Sequence, residues 1–239
     1  MGKILRDIPI EKQIAKHMQW WEKRRFEWQN QSKSSLRKPP SEPGPYITIS
    51  RELGSGGTEI SHLVAEKLGW QHYDREIIEA IASQTHTREE LVSRFDEHVQ
   101  NALDTYLRNL FTKQSLDNTH YLHHLTRVLV SIAQYGHAVI LGRGANFILP
   151  PQTGLRVRVV APLEVRRQRL MHEHGYNAKR AEREIVKHDK ERHDFLQHHF
   201  HCKSEEMAYD LVINTAHLET TAAADCIAQL AFTKLKKLI

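Results

Sequence analysis

The chain has 239 residues, enough for one large domain or one domain with an appendage. Hydrophobic residues make up 40% and charged residues 26%, a balance that excludes a disordered chain. No apolar run reaches the roughly 18–20 residues of a membrane-spanning helix, and a net charge of +5 favours anionic partners such as nucleotides, nucleic acid or acidic lipid without choosing among them.

The opening residues MGKILRDIPIEKQ interrupt every short apolar stretch with charge, so no secretory signal is read there. Arg6 stands where a myristoylation pattern requires Ser or Thr. A cytoplasmic protein is the expectation. Cys202 and Cys226 are too few for a disulfide framework and lack metal spacing, so both read as thiols without an assigned role.

Residues 9–30 contain no glycine and only a leading proline, and they predict one amphipathic helix. Ile14, Met18, Trp21 and Trp28 recur near helical spacing with Lys and Arg between them. Its tryptophans point to docking on its own domain, on a second subunit in a homo-oligomer or on another partner, while a basic amphipathic helix can also lie on a membrane surface. Residues 32–45 are rich in Ser, Pro and Gly and read as a linker, which divides the chain into an N-terminal helical extension at 1–31 and a main domain at 46–239.

The main domain opens with the alternating β-branched run Tyr46–Ser50, a predicted buried strand. RELGSGG follows directly, and then a helix whose apolar face is Ile60, Leu63, Val64 and Leu68, with Gly69 as its stop. Residues 70–73 predict a second short strand, and residues 75–136 several helices with a capping box at Thr87…Glu90. Residues 138–141 form an apolar strand that ends in Gly142-Arg143-Gly144. Residues 155–160 predict a strand, about 163–173 a helix, 178–198 a charged helix, 211–213 a final strand and 220–237 a closing helix. Strands alternating with helices imply an α/β fold with a parallel sheet and ligands at the C-terminal strand ends.

Residues 51–58, R-E-L-G-S-G-G-T, lie where a Walker A loop would read G-x-x-x-x-G-K-[ST]. Gly56 and Thr58 match, whereas Arg51 replaces the first glycine and Gly57 the lysine. Gly54, Gly56 and Gly57 still allow a concave nest of N–H groups at a helix N-terminus, the geometry that cradles phosphate. Arg51 is the nearest residue able to replace the missing lysine charge. A plain flexible turn is the alternative reading.

The run I-S-R-E-L-G-S-G-G-T-E-I at residues 49–60 resembles the cytidylate kinase-like family, nucleoside-monophosphate kinases whose phosphate loop lacks the lysine. Tyr73–Ile78 is similar to that family's acceptor-binding segment, and Leu141-Gly142-Arg143 to its strand-end Gly-Arg. Ala161–Arg169, Glu184–Arg192 and Tyr209–Thr215 resemble, in order, the entry to the lid, the returning lid helix and the closing strand. The resemblance implies a P-loop NTPase-type three-layer αβα sandwich with helical monophosphate-binding and lid segments, the lid at about residues 170–195.

It also implies transfer of the γ-phosphoryl group of ATP, with Mg2+, to a pyrimidine nucleotide such as CMP or dCMP. Gly54, Ser55, Gly56, Gly57 and Thr58 would hold the ATP phosphates, with Thr58 on the metal. Asp74 and Arg143 would hold the acceptor. Arg51, Arg143 and Arg169 would act on the transferring phosphate, and Arg166, Arg169, Asp189 and Arg192 would belong to the lid. Each has a plainer reading. Asp74 can cap the following helix, helical arginines such as Arg166, Arg167, Arg180 and Arg183 are commonly solvated, and Asp189 and Arg192 are spaced to pair with each other.

Two other classes stay open from sequence. A nucleotide-binding sensor or regulator would keep the loop without turnover. A nucleic-acid-binding protein would show affinity falling steeply with salt, although no base-reading motif is visible. The histidine clusters His123-His124 and His198-His199-Phe200-His201 lack carboxylate or cysteine partners at ligand spacing, so a solvated helical face is read ahead of a metal site.

Overall fold

A computed structural model describes residues 8–34, 43–93, 95, 97–113, 119–201 and 208–236. Five strands form one all-parallel sheet, β1 (Tyr46–Arg51), β2 (Gln71–Tyr73), β3 (Ala138–Leu141), β4 (Gly154–Val160) and β5 (Leu211–Asn214), in the order β2-β3-β1-β4-β5. The order places β1 at the centre, with Ile47 opposite Val139 of β3 and Leu155 of β4. The C-terminal ends of β1, β3 and β2 therefore open onto one shared edge, where Arg51, Arg143 and Asp74 follow their strands.

Alternation along the strands sends side chains to both faces. Ile47, Ile49, Val139 and Leu141 join one apolar layer with α2 (Gly57–Leu68) and α10 (Thr220–Leu235). Tyr46, Ala138 and Ile140 face the other layer, built from α1 (Ile10–Ser34), α3 (Arg75–Ser83), α4 (Thr85–Ser93), α5 (Glu97–Lys113), α6 (His120–Tyr135) and α7 (Ala145–Ile148). The result is a three-layer sandwich. A third, small cluster of Leu170, Ala181 and Ile185 holds α8 (Leu163–His174) against α9 (Ala178–Phe200).

The N-terminal helix packs on its own domain. Ile14 and Trp21 are fully inside the main core, and Trp21 Nε1 donates to the Tyr73 hydroxyl at 3.0 Å. The side chain of Trp28, residues 35–42 of the expected linker, and Cys202 lie outside the described residues.

The expected capping box at Thr87…Glu90 is not an N-terminus. α3 ends at Ser83 and α4 begins two residues later, with Gln84 O accepting from Arg88 N at 3.0 Å. Thr87 thus lies inside α4 and donates its hydroxyl to Gln84 Oε1 at 2.9 Å. The one-turn helix α7 was not read from sequence, since its four residues carry no period. Among the described residues no helix is long and apolar enough to cross a membrane.

Candidate phosphate-binding site

The turn from β1 into α2 is shaped by glycines whose backbone no other residue adopts readily. Gly54 and Gly56 have φ of 79° and 77°. A Cβ at Gly54 would lie 2.7 Å from the Arg166 carbonyl oxygen, so the loop packs directly on the start of α8. α2 starts at Gly57 with Gly56 as its N-cap, and the first N–H groups of a helix have no acceptor within it. The Gly56–Glu59 amides, with the helix dipole behind them, have the geometry that suits an anion.

Ser55 is turned inward. Its amide and hydroxyl both donate to Glu52 O, at 3.2 and 2.8 Å, and its own carbonyl accepts from Thr215 Oγ1 at 2.7 Å. Arg169, on α8, donates through Nη1 to Thr215 Oγ1 at 2.8 Å and through Nη2 to Thr215 O at 2.7 Å. It also reaches Gly54 O at 3.5 Å. Arg166 is buried, donating from Nε to Leu53 O at 2.8 Å and from Nη2 to both oxygens of Asp189 at 2.7 and 2.9 Å. Glu52 closes the network, 3.5 Å from Arg166 and 3.3 Å from Arg158. The structure thus ties Arg166 and Asp189 to each other, and Arg192 to the Tyr209 hydroxyl at 3.2 Å, where sequence spacing suggested an Asp189–Arg192 pair. Arg166 is also not the solvated helical arginine that its charged surroundings suggested.

Arg51 takes a different path. A Cβ at Gly57 would stand 2.6 Å from Arg51 Cβ and 3.2 Å from Val159 Cβ, so the absent side chain at 57 is the space Arg51 crosses. Its Nε donates to Thr58 Oγ1 at 2.8 Å. Among the described residues no carboxylate lies within ion-pair distance of it. Burial pushes its pKa down, the Arg75 guanidinium adds to that and Asp74 opposes it. The two departures from the Walker pattern are therefore coupled: the side chain absent at 57 leaves the volume that Arg51 occupies.

The neighbouring strand ends carry the second half of the site. Asp74 is the N-cap of α3, its Oδ1 accepting from Ile77 N at 2.9 Å. Arg75 Nε lies 3.6 Å from Glu79 Oε1, and Arg143 pairs with the same carboxylate oxygen. Arg143 sits in the left-handed region with φ of 53°, between the turning glycines 142 and 144. Its pKa is pushed down to about 10 by burial and by Arg75. Three guanidiniums, Arg51, Arg75 and Arg143, thus share one field with the two carboxylates Glu79 and Asp74, which leaves positive charge in excess.

Arg75, Glu79, Glu52 and Thr215 were not identified as site residues from sequence. Arg75 adjoins Asp74 in a segment that was recognised, but no spacing rule distinguishes it from an ordinary first-turn residue. In the histidine clusters His123, His198 and His201 are exposed, while His123 also stacks on Phe111 at 3.8 Å and His199 meets Phe195 edge-on at 4.7 Å. Among the described residues no group of three or more metal-binding side chains converges.

A central β1, a glycine loop leading into α2 and helices on both faces of a parallel sheet define the architecture of the P-loop kinases. Residues 46–217 match the cytidylate kinase-like family, and the chain belongs to that family. Among solved structures it is similar to an uncharacterised protein from Eubacterium ventriosum, with 21% identity, 78% of this chain and 98% of the other covered, and a TM-score of 0.52. It also aligns with shikimate kinases from Acinetobacter baumannii, solved with shikimate (18% identity, 81% and 98% covered, TM-score 0.38), and Bacteroides thetaiotaomicron (17%, 80% and 98%, 0.43). No curated protein matches the chain.

Proposed function

We propose that this chain is a nucleoside-monophosphate kinase that transfers the γ-phosphoryl group of ATP to a pyrimidine nucleotide such as CMP or dCMP in the cytoplasm. The observation that carries the proposal is Arg51 lying across Gly57 onto Thr58, which supplies a cation where the phosphate loop lacks its lysine. Membership of a cytidylate kinase-like family supports the acceptor class.

In this reading the Gly54–Thr58 turn holds the donor phosphates through the α2 amides. Arg51 balances charge on the transferring group from a buried position, where a guanidinium acts more strongly than in water. Arg143 and Arg75, at the ends of the adjoining strands, draw the acceptor phosphate to within reach, and Asp74 fixes the α3 terminus beside it. Transfer is in line, with the acceptor oxygen attacking and ADP leaving, and no covalent enzyme intermediate is required. α8 and α9 form the lid, with Arg166 and Asp189 as its hinge to the loop and Arg169 and Arg192 along it.

Thr58 Oγ1 would be the protein ligand of the magnesium. It accepts from Arg51 and retains a second lone pair, which fits an ion that takes its remaining ligands from phosphates and water. When bound, such an ion neutralises phosphate charge.

The test is purified protein with magnesium-ATP and a panel of nucleoside monophosphates, with ADP release as readout. Release that depends on CMP or dCMP is expected. Binding of ATP with no ADP formed from any acceptor would overturn the kinase reading and leave a nucleotide-binding regulator.

A further inference from the structure

Arg143 is held in an unusual way for a residue at the centre of a site. Its backbone is left-handed, its guanidinium is almost fully buried, and Glu79 is its ion-pair partner. Its Nε, also buried, has no hydrogen-bond acceptor among the described residues. One face of the guanidinium is covered by the ring of Phe195, with the central carbon 5.5 Å from the ring centroid. Phe195 belongs to α9, the same helix whose Asp189 holds Arg166 and through it Leu53 of the phosphate loop.

Five residues further on, Phe200 fills the space that a side chain at position 144 would take. A Cβ at Gly144 would lie 2.5 Å from its ring, and Phe200 stacks on Phe147 of α7 with centroids 5.2 Å apart. The C-terminal third of α9 is therefore anchored on the turn that carries Arg143. A ring held over a guanidinium restricts its rotation, and beneath this one the Arg143 Nε–H is buried without an acceptor among the described residues.

We propose that Phe195 is a positioning residue for Arg143, holding the guanidinium edge-on to the incoming acceptor phosphate. The inference rests on the reading of Arg143 as an acceptor contact. The cation–π weight of such a contact corresponds to a few-fold to roughly thirtyfold in an affinity.

The test compares Phe195→Leu with Phe195→Trp and Phe195→Tyr. In Phe195→Leu, KM for the phosphorylated acceptor is expected to rise about tenfold while KM for ATP and kcat stay within about twofold. Phe195→Tyr and Phe195→Trp, which keep a ring, are expected to restore most of the loss. An effect of equal size in all three, an unchanged acceptor KM in Phe195→Leu, or a matching rise in KM for ATP would each overturn the proposal.

A second readout does not depend on turnover. The Arg143 Nε–H signal in a 15N spectrum, assigned with Arg143→Lys, is expected to lose its ring-current shift and exchange faster in Phe195→Leu. Were the chain inactive on every acceptor, this signal would still decide the Phe195 contact. An unmoved signal would overturn it.

Discussion

Two pairs of arginines in this molecule carry the same charge and live by different rules. Arg166 and Arg169, on α8, spend their donors on the protein: Leu53 O, Asp189, Thr215 and Gly54 O. Arg51 and Arg143, at strand ends, are buried with fewer partners, and burial lowers both pKa values. A desolvated cation with few partners is costly unless something anionic completes it. The first pair thus builds the loop, and the second pair is the one assigned to the ligand in the proposed function.

Removing Arg51 gives the largest expected effect. Arg51→Ala is expected to lower turnover by about 100- to 1,000-fold, the range seen when one preorganised donor to a transition state is lost. Urea unfolding should place its stability within about 1 kcal/mol of the parent, since what it loses is a desolvated charge and one hydrogen bond. Turnover unchanged within threefold would show that the charge comes from elsewhere.

Arg166→Ala should behave in the opposite sense. It removes a buried guanidinium and leaves the partly exposed Asp189 and the half-buried Leu53 O without their donor, and a loss of about 2–4 kcal/mol in denaturant unfolding is expected. Part of that range reflects the partial exposure of Asp189, which water screens. A stable Arg166→Ala protein that has lost only activity would move Arg166 into the second pair and break the comparison.

A smaller test addresses the floor of the acceptor corner. His17 of α1 stacks on Tyr73 at 4.3 Å, one residue before Asp74, and burial reinforced by Lys16 lowers its pKa from 6.5 to about 4. Between those values the unfolded chain binds a proton that the folded chain does not. Stability from this group is therefore complete above about pH 6.5 and falls as pH drops toward 4. On the order of 2–3 kcal/mol should disappear across that window, and His17→Phe should flatten that part of the curve. Thermal unfolding at stepped pH measures it, and an identical slope in both proteins would place the acid sensitivity elsewhere.

Much of the sheet was legible because its strands alternate or run apolar and end at glycines. Tyr46–Ser50, residues 138–141 and 155–160 needed no tertiary information. The site was legible only as far as local pattern reaches. The turn through Gly54 and Gly56 into α2 follows from a loop with known spacing, and the turn at Arg143 from a Gly-Arg-Gly strand end. The allocation of the arginines was not legible, because whether Arg166 meets phosphate or Asp189 depends on how α8 lies against α9, 23 residues apart in the pair. Arg75 was missed for a similar reason: its field is shared with Arg51 and Arg143 only once β2, β3 and β1 lie side by side.

The exchange at positions 51 and 57 has an evolutionary reading. Lysine introduced at Gly57 alone would run into Arg51 and Val159, so position 57 stays closed to a side chain while Arg51 is in place. A lysine form of the loop and this arginine form therefore differ by two coupled substitutions.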